Sequence, residues 1–320
     1  MDNNSAQQEL VTRLPELTPA PRHPALQHLV ESLVQRHGDC VASVLFYGSC
    51  LRSGDPYDGL VDLYLLVDHY RCANSGWLKA AWNRLLPPNV FYAEFPHEGR
   101  MVRCKYAILS LADLEKGTSP RWFHSYLWGR FSQPAAIAWS RDSTAAQSVA
   151  NSLARSVLTF LNRVLPCLPA QGDVQSLWIN GLRLSYGAEL RVESPARTRE
   201  LFAANQAYYR EITRLAADLL DFPLQLSEQD EGTRYLAHIP SRRRFVGRAG
   251  WKLRTLQGKL LSLARLTKAL FTFDGGLDYM AWKLERHSGV PIEIPDRVRR
   301  YPLIFVWGLV LDLYRRGVFR

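Results

Sequence analysis

The most informative part of this chain consists of two neighbouring stretches: Val44-Leu45-Phe46-Tyr47-Gly48-Ser49-Cys50-Leu51-Arg52 and Val61-Asp62-Leu63-Tyr64-Leu65-Leu66-Val67-Asp68. The first predicts an apolar strand that ends at Tyr47, followed by a Gly-Ser turn and a short polar loop. The second predicts another strand, which carries an acidic residue, Asp62, near its start. Together they indicate two adjacent strands of a sheet, with the turn and the acidic residue close to each other.

The turn and the acidic residue suit a site for a triphosphate and a divalent metal ion. A glycine at position 48 lets the backbone approach phosphates closely, and Ser49 can donate its hydroxyl to an anionic oxygen. A carboxylate at Asp62 can bind the metal that neutralises charge during nucleotidyl transfer. An ordinary turn followed by a loop-facing acid has the same pattern, so the motif is a hypothesis about function.

The motif lacks a second acid beside Asp62. Two acids spaced by two residues on a strand point to one face and can share an ion, but Leu60 and Tyr64 occupy those positions. Asp68 has the same parity as Asp62 but lies roughly 20 Å further along the strand. A second metal ligand is therefore expected from another element. The candidates are Asp55, Asp58 and Glu94.

Further blocks of sequence carry a resemblance to a known family. Besides the two stretches quoted above, they are residues 103–110, 122–134 and 184–191. In this order they resemble the mitochondrial translocator assembly and maintenance family of phosphatidate cytidylyltransferases, over roughly residues 40–270. The chain departs from the family pattern at Ala107, Gln133 and Glu189, where the family shows Gly, Lys and Asp.

The resemblance implies an enzyme that forms CDP-diacylglycerol and pyrophosphate from CTP and phosphatidate. The expected cofactor is Mg²⁺, bound by Asp62, and the preference for CTP rests on the resemblance alone. Gly48 and Ser49 are expected to hold the triphosphate. Lys105, whose parity on its strand can aim it inward, is expected to contact a phosphate. Arg130 and Arg191 are further candidates for phosphate contacts, and each also fits a structural ion pair.

The positive charge of the chain is concentrated at its C-terminal end. The 320 residues carry a formal net charge of +10, with 47% hydrophobic and 22% charged residues, as in a globular protein. Residues 1–240 contain 23 Lys and Arg against 24 Asp and Glu, whereas residues 241–320 contain 17 against 6. Such a basic region is typical of contact with nucleic acid or an anionic membrane, or is a solvated face.

The hydrophobic pattern of this basic region favours a membrane surface. A helix over residues 251–273 places six apolar side chains within an arc of about 100°. They are Leu253, Leu256, Leu260, Leu263, Ala264 and Phe271. Lys252, Lys259 and Lys268 border this arc, as in a helix that lies among lipid headgroups. A conventional core helix is the alternative, because Leu261 and Leu266 fall outside the stripe.

A second apolar run, residues 301–314, is flanked by arginines on both sides. It is too short to cross a hydrocarbon layer, which needs about 20 residues. The expected partners are therefore CTP, phosphatidate and an anionic membrane surface that the chain binds peripherally, with no nucleic acid. Residues 1–10 lack a hydrophobic signal core and an Arg-rich presequence, which favours a bacterial member of the family on the cytoplasmic face of the inner membrane.

The five cysteines are odd in number and scattered, without paired metal-binding spacing, which favours a reducing compartment. Cys50 lies inside the predicted phosphate loop and is interpreted as a packing residue. The histidines form no evident ligand cluster, and His69 and His97 are interpreted as surface or loop residues.

The pattern along the chain predicts an α/β fold with a nucleotidyltransferase-type mixed sheet. Residues 15–24 predict an extended lead-in, and strands are expected at residues 41–47, 61–67, 90–95 and 101–109. Helices are expected at residues 25–36, 76–86, 145–164, 173–184 and 200–220. The expected domains are a nucleotidyltransferase domain (1–140), a mainly helical domain (141–240) and a basic amphipathic region (241–320).

Two other functions fit the same residues. One is a nucleotidyltransferase that acts on RNA or on a soluble small molecule. The other is a membrane-peripheral scaffold without catalysis, which the missing second acid beside Asp62 allows. The interleaving of basic residues with Leu, Trp and Phe argues against a groove for RNA, in which aromatic residues stack on bases.

Overall fold

The computed structural model describes residues 3–73, 77–189, 194–229, 232–272, 277, 281, 282, 285 and 292–300. The helices of this part are α1 (Asn3–Leu17), α2 (Pro24–His37), α3 (Ser49–Ser53), α4 (Tyr70–Ala73), α5 (Trp77–Leu85), α6 (Leu111–Thr118), α7 (Trp128–Phe131), α8 (Ser143–Val164), α9 (Val174–Gly187), α10 (Pro195–Ala203), α11 (Gln206–Ala216), α12 (Ser241–Thr272) and α13 (Asp296–Arg300). The strands are β1 (Val41–Tyr47), β2 (Val61–Val67), β3 (Asn89–His97), β4 (Arg100–Ser110), β5 (Ala135–Ser140), β6 (Gln171–Asp173), β7 (Leu224–Gln229) and β8 (Gly232–Ala237). The fold is therefore mixed α/β, as predicted.

The first sheet has five strands in the order β3-β4-β2-β1-β5. β2 and β4 are parallel, and every other neighbouring pair is antiparallel. The register pairs Tyr47 with Asp62 and Asp62 with Lys105. Because residues in register point to the same face of a sheet, these three side chains form one row across three strands. The predicted strands at residues 41–47 and 61–67 are confirmed.

Both faces of this sheet are covered, which explains the nearly continuous apolar sequence of its central strands. β1 alternates between two hydrophobic clusters. Val44 and Phe46 pack in the cluster that contains Leu29 of α2, whereas Leu45 packs in the cluster that contains Leu153 of α8. The sheet is thus held between α2 on one face and α8 on the other.

The second sheet was not predicted. It has three antiparallel strands in the order β6-β8-β7 and packs beside α9. Its strands are short and carry many exposed polar residues, so their hydrophobic periodicity is weak. The predicted helix at residues 200–220 is also interrupted, since α10 ends at Ala203 and α11 begins at Gln206.

The N-terminal segment was predicted only in part. Residues 15–24 were expected to be extended, but Pro15 lies inside α1. Leu10 and Leu14 of α1 are buried in the same cluster as Leu45 of the first sheet and Trp178 of α9. This burial outweighs the helical hydrogen bond that a proline removes. The first sheet and the helices after residue 140 share one core, and the domain boundaries at 140 and 240 stay a prediction.

The cysteine prediction was wrong for one pair. Cys40 and Cys72 form a disulfide, with their Cα atoms 5.8 Å apart. The sequence separation of 32 residues hides this proximity. The antiparallel pairing of β1 and β2 brings the two residues to the same end of the sheet. Cys50, Cys104 and Cys167 are free.

α12 has a packed face and an exposed face. Arg254 is only 2% exposed, donates a hydrogen bond of 2.6 Å to the Phe123 carbonyl, and lies over the rings of Trp128 and Trp251. Lys268 donates to the Leu86 and Pro88 carbonyls, at 2.5 and 2.8 Å. The interpretation of Lys268 as a border of the exposed stripe was therefore wrong, because this side chain is buried against the protein body.

The predicted leucine stripe of α12 lies on the opposite face. Four of its members are 56–60% exposed: Leu253, Leu256, Leu260 and Leu263. Phe271 and the apolar run at residues 301–314 lie outside the residues or side chains that the structure describes. Among the described residues, every helix is too short or too polar to cross a membrane.

Two glycines of α12 provide a matched test of its packing. A Cβ atom at Gly258 would lie 2.1 Å from the carbonyl oxygen of Ala188, whereas one at Gly250 would meet nothing within 4 Å. We expect Gly258→Ala to lower the free energy of unfolding by about 1–3 kcal/mol, because α12 must move away from the end of α9. Gly250→Ala should raise it by up to about 1 kcal/mol, since alanine favours the helix.

Urea denaturation followed by circular dichroism measures both values. Equal effects of the two substitutions would show that α12 does not pack against Ala188 in solution.

Candidate active site

A pocket of about 360 Å³ opens where β1 ends and β2 begins. Its lining includes every predicted site residue that the structure describes: Gly48, Ser49, Asp62, Lys105 and Arg130. Arg191 lies outside the described residues. The opposite wall comes from α9, α10 and α11, so the pocket lies between the first sheet and the helices that follow residue 140.

The Gly-Ser turn is in direct contact with the acidic residue. Gly48 has a φ of 91°, which L side chains rarely adopt, and a Cβ atom there would lie 2.7 Å from Oδ2 of Asp62. Only glycine therefore allows both the turn and the position of the carboxylate. Ser49 follows as the first residue of α3.

Asp62 and Lys105 form an ion pair in the pocket. Nζ of Lys105 lies 3.0 Å from Oδ1 of Asp62, and the two side chains are 34% and 20% exposed. The parallel pairing of β2 and β4 places them directly beside each other. Lys105 thus faces the pocket, as its strand parity predicted, and the pair puts an ammonium group beside a carboxylate inside a partly desolvated pocket.

The oxygens of this pocket fit a hard divalent cation such as Mg²⁺. Oδ1 of Asp62 is buried and accepts no well-aligned hydrogen bond within the described part of the chain, and its charge is balanced by Nζ of Lys105 at 3.0 Å. Glu189 supplies a second carboxylate to the lining. Mg²⁺ is usually bound by one or two carboxylates together with substrate phosphates and water. Asp62 and Glu189 are therefore the residues that would hold it.

The three earlier candidates for a second ligand do not line this pocket in the described part of the chain. Oε1 of Glu94 instead binds the Tyr92 hydroxyl and Arg103, at 2.5 and 3.0 Å. Oδ1 of Asp55 accepts a hydrogen bond from the Tyr57 backbone within the loop. Asp58 follows in the same loop.

Arg130 is held by aromatic rings and one acid. Its guanidinium carbon lies 4.9 Å from the Tyr126 ring centroid and 5.7 Å from that of Tyr47, and a terminal nitrogen lies 3.7 Å from Glu189. Nε of Arg130 is buried without a hydrogen bond in the described structure. The predicted structural ion pair is therefore present, while the same side chain faces the pocket.

Two of the sequence blocks that carry the family resemblance meet behind Arg130. The Tyr186 hydroxyl donates a hydrogen bond of 2.8 Å to Oε1 of Gln133, and Nε2 of Gln133 donates to the Gly129 carbonyl. A Cβ atom at Gly129 would lie 2.1 Å from Oγ of Ser185. The described residues of these two blocks, 122–134 and 184–189, thus pack together and contribute to the lining of the pocket.

The sequence analysis missed two basic residues of the pocket, Arg52 and Arg197. Burial, followed by the charge of Arg197, lowers the pKa of Arg52. Arg52 donates a hydrogen bond of 3.0 Å to the Gly48 carbonyl and so supports the turn, while Arg197 pairs with Glu200 at 3.1 Å. The position of Arg52, four residues after Gly48, was a usable signal. The sequence carried no such signal for Arg197, because only the tertiary structure brings α10 to the pocket.

The charges of the pocket favour a polyanion. Four basic side chains line it, namely Arg52, Lys105, Arg130 and Arg197, against the two carboxylates Asp62 and Glu189. Burial, followed by the Asp62 carboxylate, raises the pKa of Tyr47 to about 12, so its phenol stays neutral at physiological pH. An excess of cations in a concave, partly desolvated site attracts phosphate groups.

Cys50 does not act as a nucleophile in this arrangement. The side chain is 1% exposed, and its thiol donates to the Leu60 carbonyl at 3.2 Å. Burial, followed by the Asp62 carboxylate, raises the pKa of Cys50 to about 11. A thiol with so high a pKa is not ionised near neutral pH, which agrees with a packing role.

In comparisons with models of protein families and with curated proteins, nothing matches this chain. Among solved structures, one match is a nucleotidyltransferase-like protein from Exiguobacterium sibiricum 255-15. The two chains share 10% sequence identity, the alignment covers 91% of this chain and 92% of the other, and the TM-score is 0.26. At so low a TM-score the similarity carries no argument about this chain.

The effect of the contact between Gly48 and Asp62 can be measured separately from the effect of backbone strain. Gly54 also has a positive φ, of 73°, but a Cβ atom there would meet nothing within 4 Å. Gly48→Ala and Gly54→Ala should each cost about 1–2 kcal/mol of stability from the left-handed backbone. Only Gly48→Ala should also weaken Mg²⁺-dependent binding of a nucleoside triphosphate, by more than about tenfold, since it displaces the Asp62 carboxylate.

Isothermal titration calorimetry with a non-hydrolysable triphosphate measures the binding. Unchanged affinity in Gly48→Ala would contradict nucleotide binding at this turn.

Proposed function

We propose that this chain is a nucleotidyltransferase that transfers a cytidylyl group from CTP to phosphatidate. The observation that supports it is the pocket in which the Gly48-Ser49 turn, Asp62 and Lys105 meet. A glycine turn, a partly buried carboxylate and a basic lining are what a metal-bound nucleoside triphosphate requires. The choice of CTP and phosphatidate rests on the family resemblance of the sequence blocks around the pocket.

The reaction is a substitution at phosphorus. An oxygen of the phosphatidate phosphate attacks the α-phosphorus of CTP and forms a new P–O bond, while the bond from this phosphorus to the bridging oxygen of the β-phosphate breaks. Pyrophosphate leaves with that bonding electron pair, and the product is CDP-diacylglycerol. Such a reaction needs positioning and charge neutralisation more than covalent participation by the protein.

The residues of the pocket supply these needs. Asp62 and Glu189 are suited to hold Mg²⁺, which neutralises phosphate charge when bound. Gly48 leaves space for the triphosphate beside the turn, and Ser49 donates its hydroxyl to it. Lys105 exchanges its contact with Asp62 for a phosphate oxygen of CTP or phosphatidate. Arg130 holds a second phosphate from the opposite wall.

One assay identifies the molecule that accepts the cytidylyl group. Purified protein, Mg²⁺ and CTP labelled at the α-phosphate are incubated with phosphatidate vesicles, with RNA, or with neither. We expect the label in the lipid phase. Label in RNA would support the RNA nucleotidyltransferase instead, and label in no product would support a scaffold without catalysis. Replacing CTP with ATP, GTP or UTP in the same assay tests the nucleotide.

The carboxylate of Asp62 gives the central catalytic prediction. Asp62→Ala should lower the rate of label transfer by at least about 10³-fold, which corresponds to roughly 4 kcal/mol of transition-state stabilisation. Asp221→Ala, which removes an exposed carboxylate outside the pocket, serves as the control and should keep the wild-type rate. Circular dichroism confirms that both variants are folded. Substantial transfer by Asp62→Ala would remove this residue from the metal site.

An enzyme that acts on phosphatidate must reach a substrate whose acyl chains stay in a bilayer. The leucine stripe of α12 provides a suitable surface, because four leucines spaced by three or four residues are each more than half exposed. Lys252 and Lys259 are exposed on the same helix. Apolar side chains that enter the headgroup region and cations beside anionic lipids both favour peripheral binding.

We place the chain, by the same proposal, at an anionic membrane surface, as a peripheral protein of the cytoplasmic face of a bacterial inner membrane. The packed face of α12 explains how the stripe is held. Arg254 and Lys268 bind backbone carbonyls of the protein body, so the leucines project away from it. Deletion of residues 251–320 would therefore also remove packing, and point substitutions on the exposed face are the better test.

Leu260 and Leu85 form a matched pair for that test. Both are exposed leucines on helices, at 60% and 75%, but only Leu260 lies in the stripe. We expect Leu260→Gln to weaken binding to anionic vesicles about tenfold, as the loss of about 1.4 kcal/mol of apolar transfer implies. Leu85→Gln should bind like wild type.

Vesicle flotation at low and high salt measures the binding of the two variants and of the wild type. Binding of the wild type should fall as the salt concentration rises. Equal binding by the two variants would move the membrane contact away from α12.

A further inference from the structure

A second cluster of chemically active side chains lies at the other end of β1 and β2. Cys40 ends the 3-10 turn Gly38–Cys40 just before β1, and His69 and Cys72 follow β2. The register Val41↔Val67 and a hydrogen bond of 3.1 Å from the Asp68 backbone N–H to the Cys40 carbonyl join the two segments. The Gly-Ser turn lies at the opposite end of β1, roughly 20 Å away along the strand.

The three side chains converge on one point. One ligand atom from each of Cys40, His69 and Cys72 lies within 4.8 Å of the other two. Nδ1 of His69 lies 2.9 Å from Sγ of Cys72. His69 is exposed and lies in the loop between β2 and α4, as interpreted from the sequence. The interpretation that the histidines form no ligand cluster was wrong for His69, because the pairing of β1 with β2 brings Cys40 to it from 29 residues away.

We propose that Cys40, His69 and Cys72 bind one soft divalent cation, such as Zn²⁺, when the two cysteines are reduced. Two thiolates and one neutral imidazole are a ligand set that zinc prefers, and the two thiolate charges balance the charge of the ion. His69 and Cys72 are three residues apart at the start of α4, a spacing found within zinc ligand pairs.

The surroundings favour three protein ligands and one open position. Two acids adjoin the cluster along the chain, Asp39 and Asp68, and neither belongs to the group of converging ligand atoms. Asp68 is engaged by Arg141, whose Nη1 lies 2.7 Å from Oδ2 of Asp68. Nη1 of Arg141 also donates to the Asp39 carbonyl at 2.8 Å. His69 and Cys72 are exposed, so water or a small ligand can reach the fourth position of a tetrahedral ion.

The disulfide and the metal site exclude each other, since both need the same two sulfur atoms. With a phosphine as the reductant, the disulfide takes up two electrons and two protons and becomes two thiols, while the phosphine and water give the phosphine oxide. The cation then displaces the two thiol protons. Cys40 and Cys72 thus hold the start of β1 against α4 in either state, by a covalent bond or through the ion.

Cobalt substitution tests the proposal. The full chain is reduced with a phosphine, desalted without oxygen and titrated with Co²⁺. We expect one Co²⁺ per chain, with strong thiolate-to-cobalt absorption and the visible bands of a tetrahedral ion, and displacement of both by Zn²⁺. Cys40→Ser and Cys72→Ser should lose the thiolate absorption. His69→Ala should weaken Co²⁺ binding by more than the roughly tenfold loss expected for a supporting residue.

Matched controls separate this site from other ligands. Cys167→Ser and His238→Ala remove a cysteine and a histidine outside the cluster and should keep the wild-type titration. Asp62→Ala should also keep the thiolate absorption, so the result is independent of the proposed active site. Absence of that absorption in the reduced wild-type chain, its persistence in Cys72→Ser, or a disulfide that resists reduction in the folded chain would each overturn the proposal.

Discussion

The pairing of β2 with both β1 and β4 is the constraint on which the site depends. It sets Tyr47, Asp62 and Lys105 in one row across three strands. Asp62 then lies against Gly48 so closely that no side chain fits there, and its second oxygen faces the Lys105 ammonium at 3.0 Å. A shift of one residue in either register would turn the carboxylate to the other face of the sheet and leave the pocket without its acid.

Residues from the second half of the chain form the rest of the pocket around this row of side chains. α9 and α10 form the facing wall, and Arg130 links the two halves through Glu189 and the aromatic rings of Tyr47 and Tyr126. α12 in turn packs so closely on the end of α9 that only glycine fits at position 258. Ala188, which α12 contacts at Gly258, directly precedes Glu189 of the pocket lining.

The two ends of the β1–β2 pair carry different chemistry. One end presents hard carboxylate oxygens among basic residues, which suit Mg²⁺ and phosphates. The other presents two sulfur atoms and an imidazole, which suit a softer ion. Because the strands are antiparallel, the end of β1 lies beside the start of β2 at one site, and the start of β1 lies beside the end of β2 at the other. One pair of strands therefore supports both sites.

The local features could be predicted from the sequence: the limits of β1 and β2, the Gly-Ser turn, Asp62 as the acid beside it, and Lys105 as an inward-facing cation. These follow from apolar runs and strand parity, which act over a few residues. The packing of the whole chain was needed to show that Glu189 and Arg197 complete the pocket, that Arg254 and Lys268 are buried, and that Cys40 meets His69 and Cys72. Those contacts join residues far apart in the chain, and their partners have no local pattern that would reveal them.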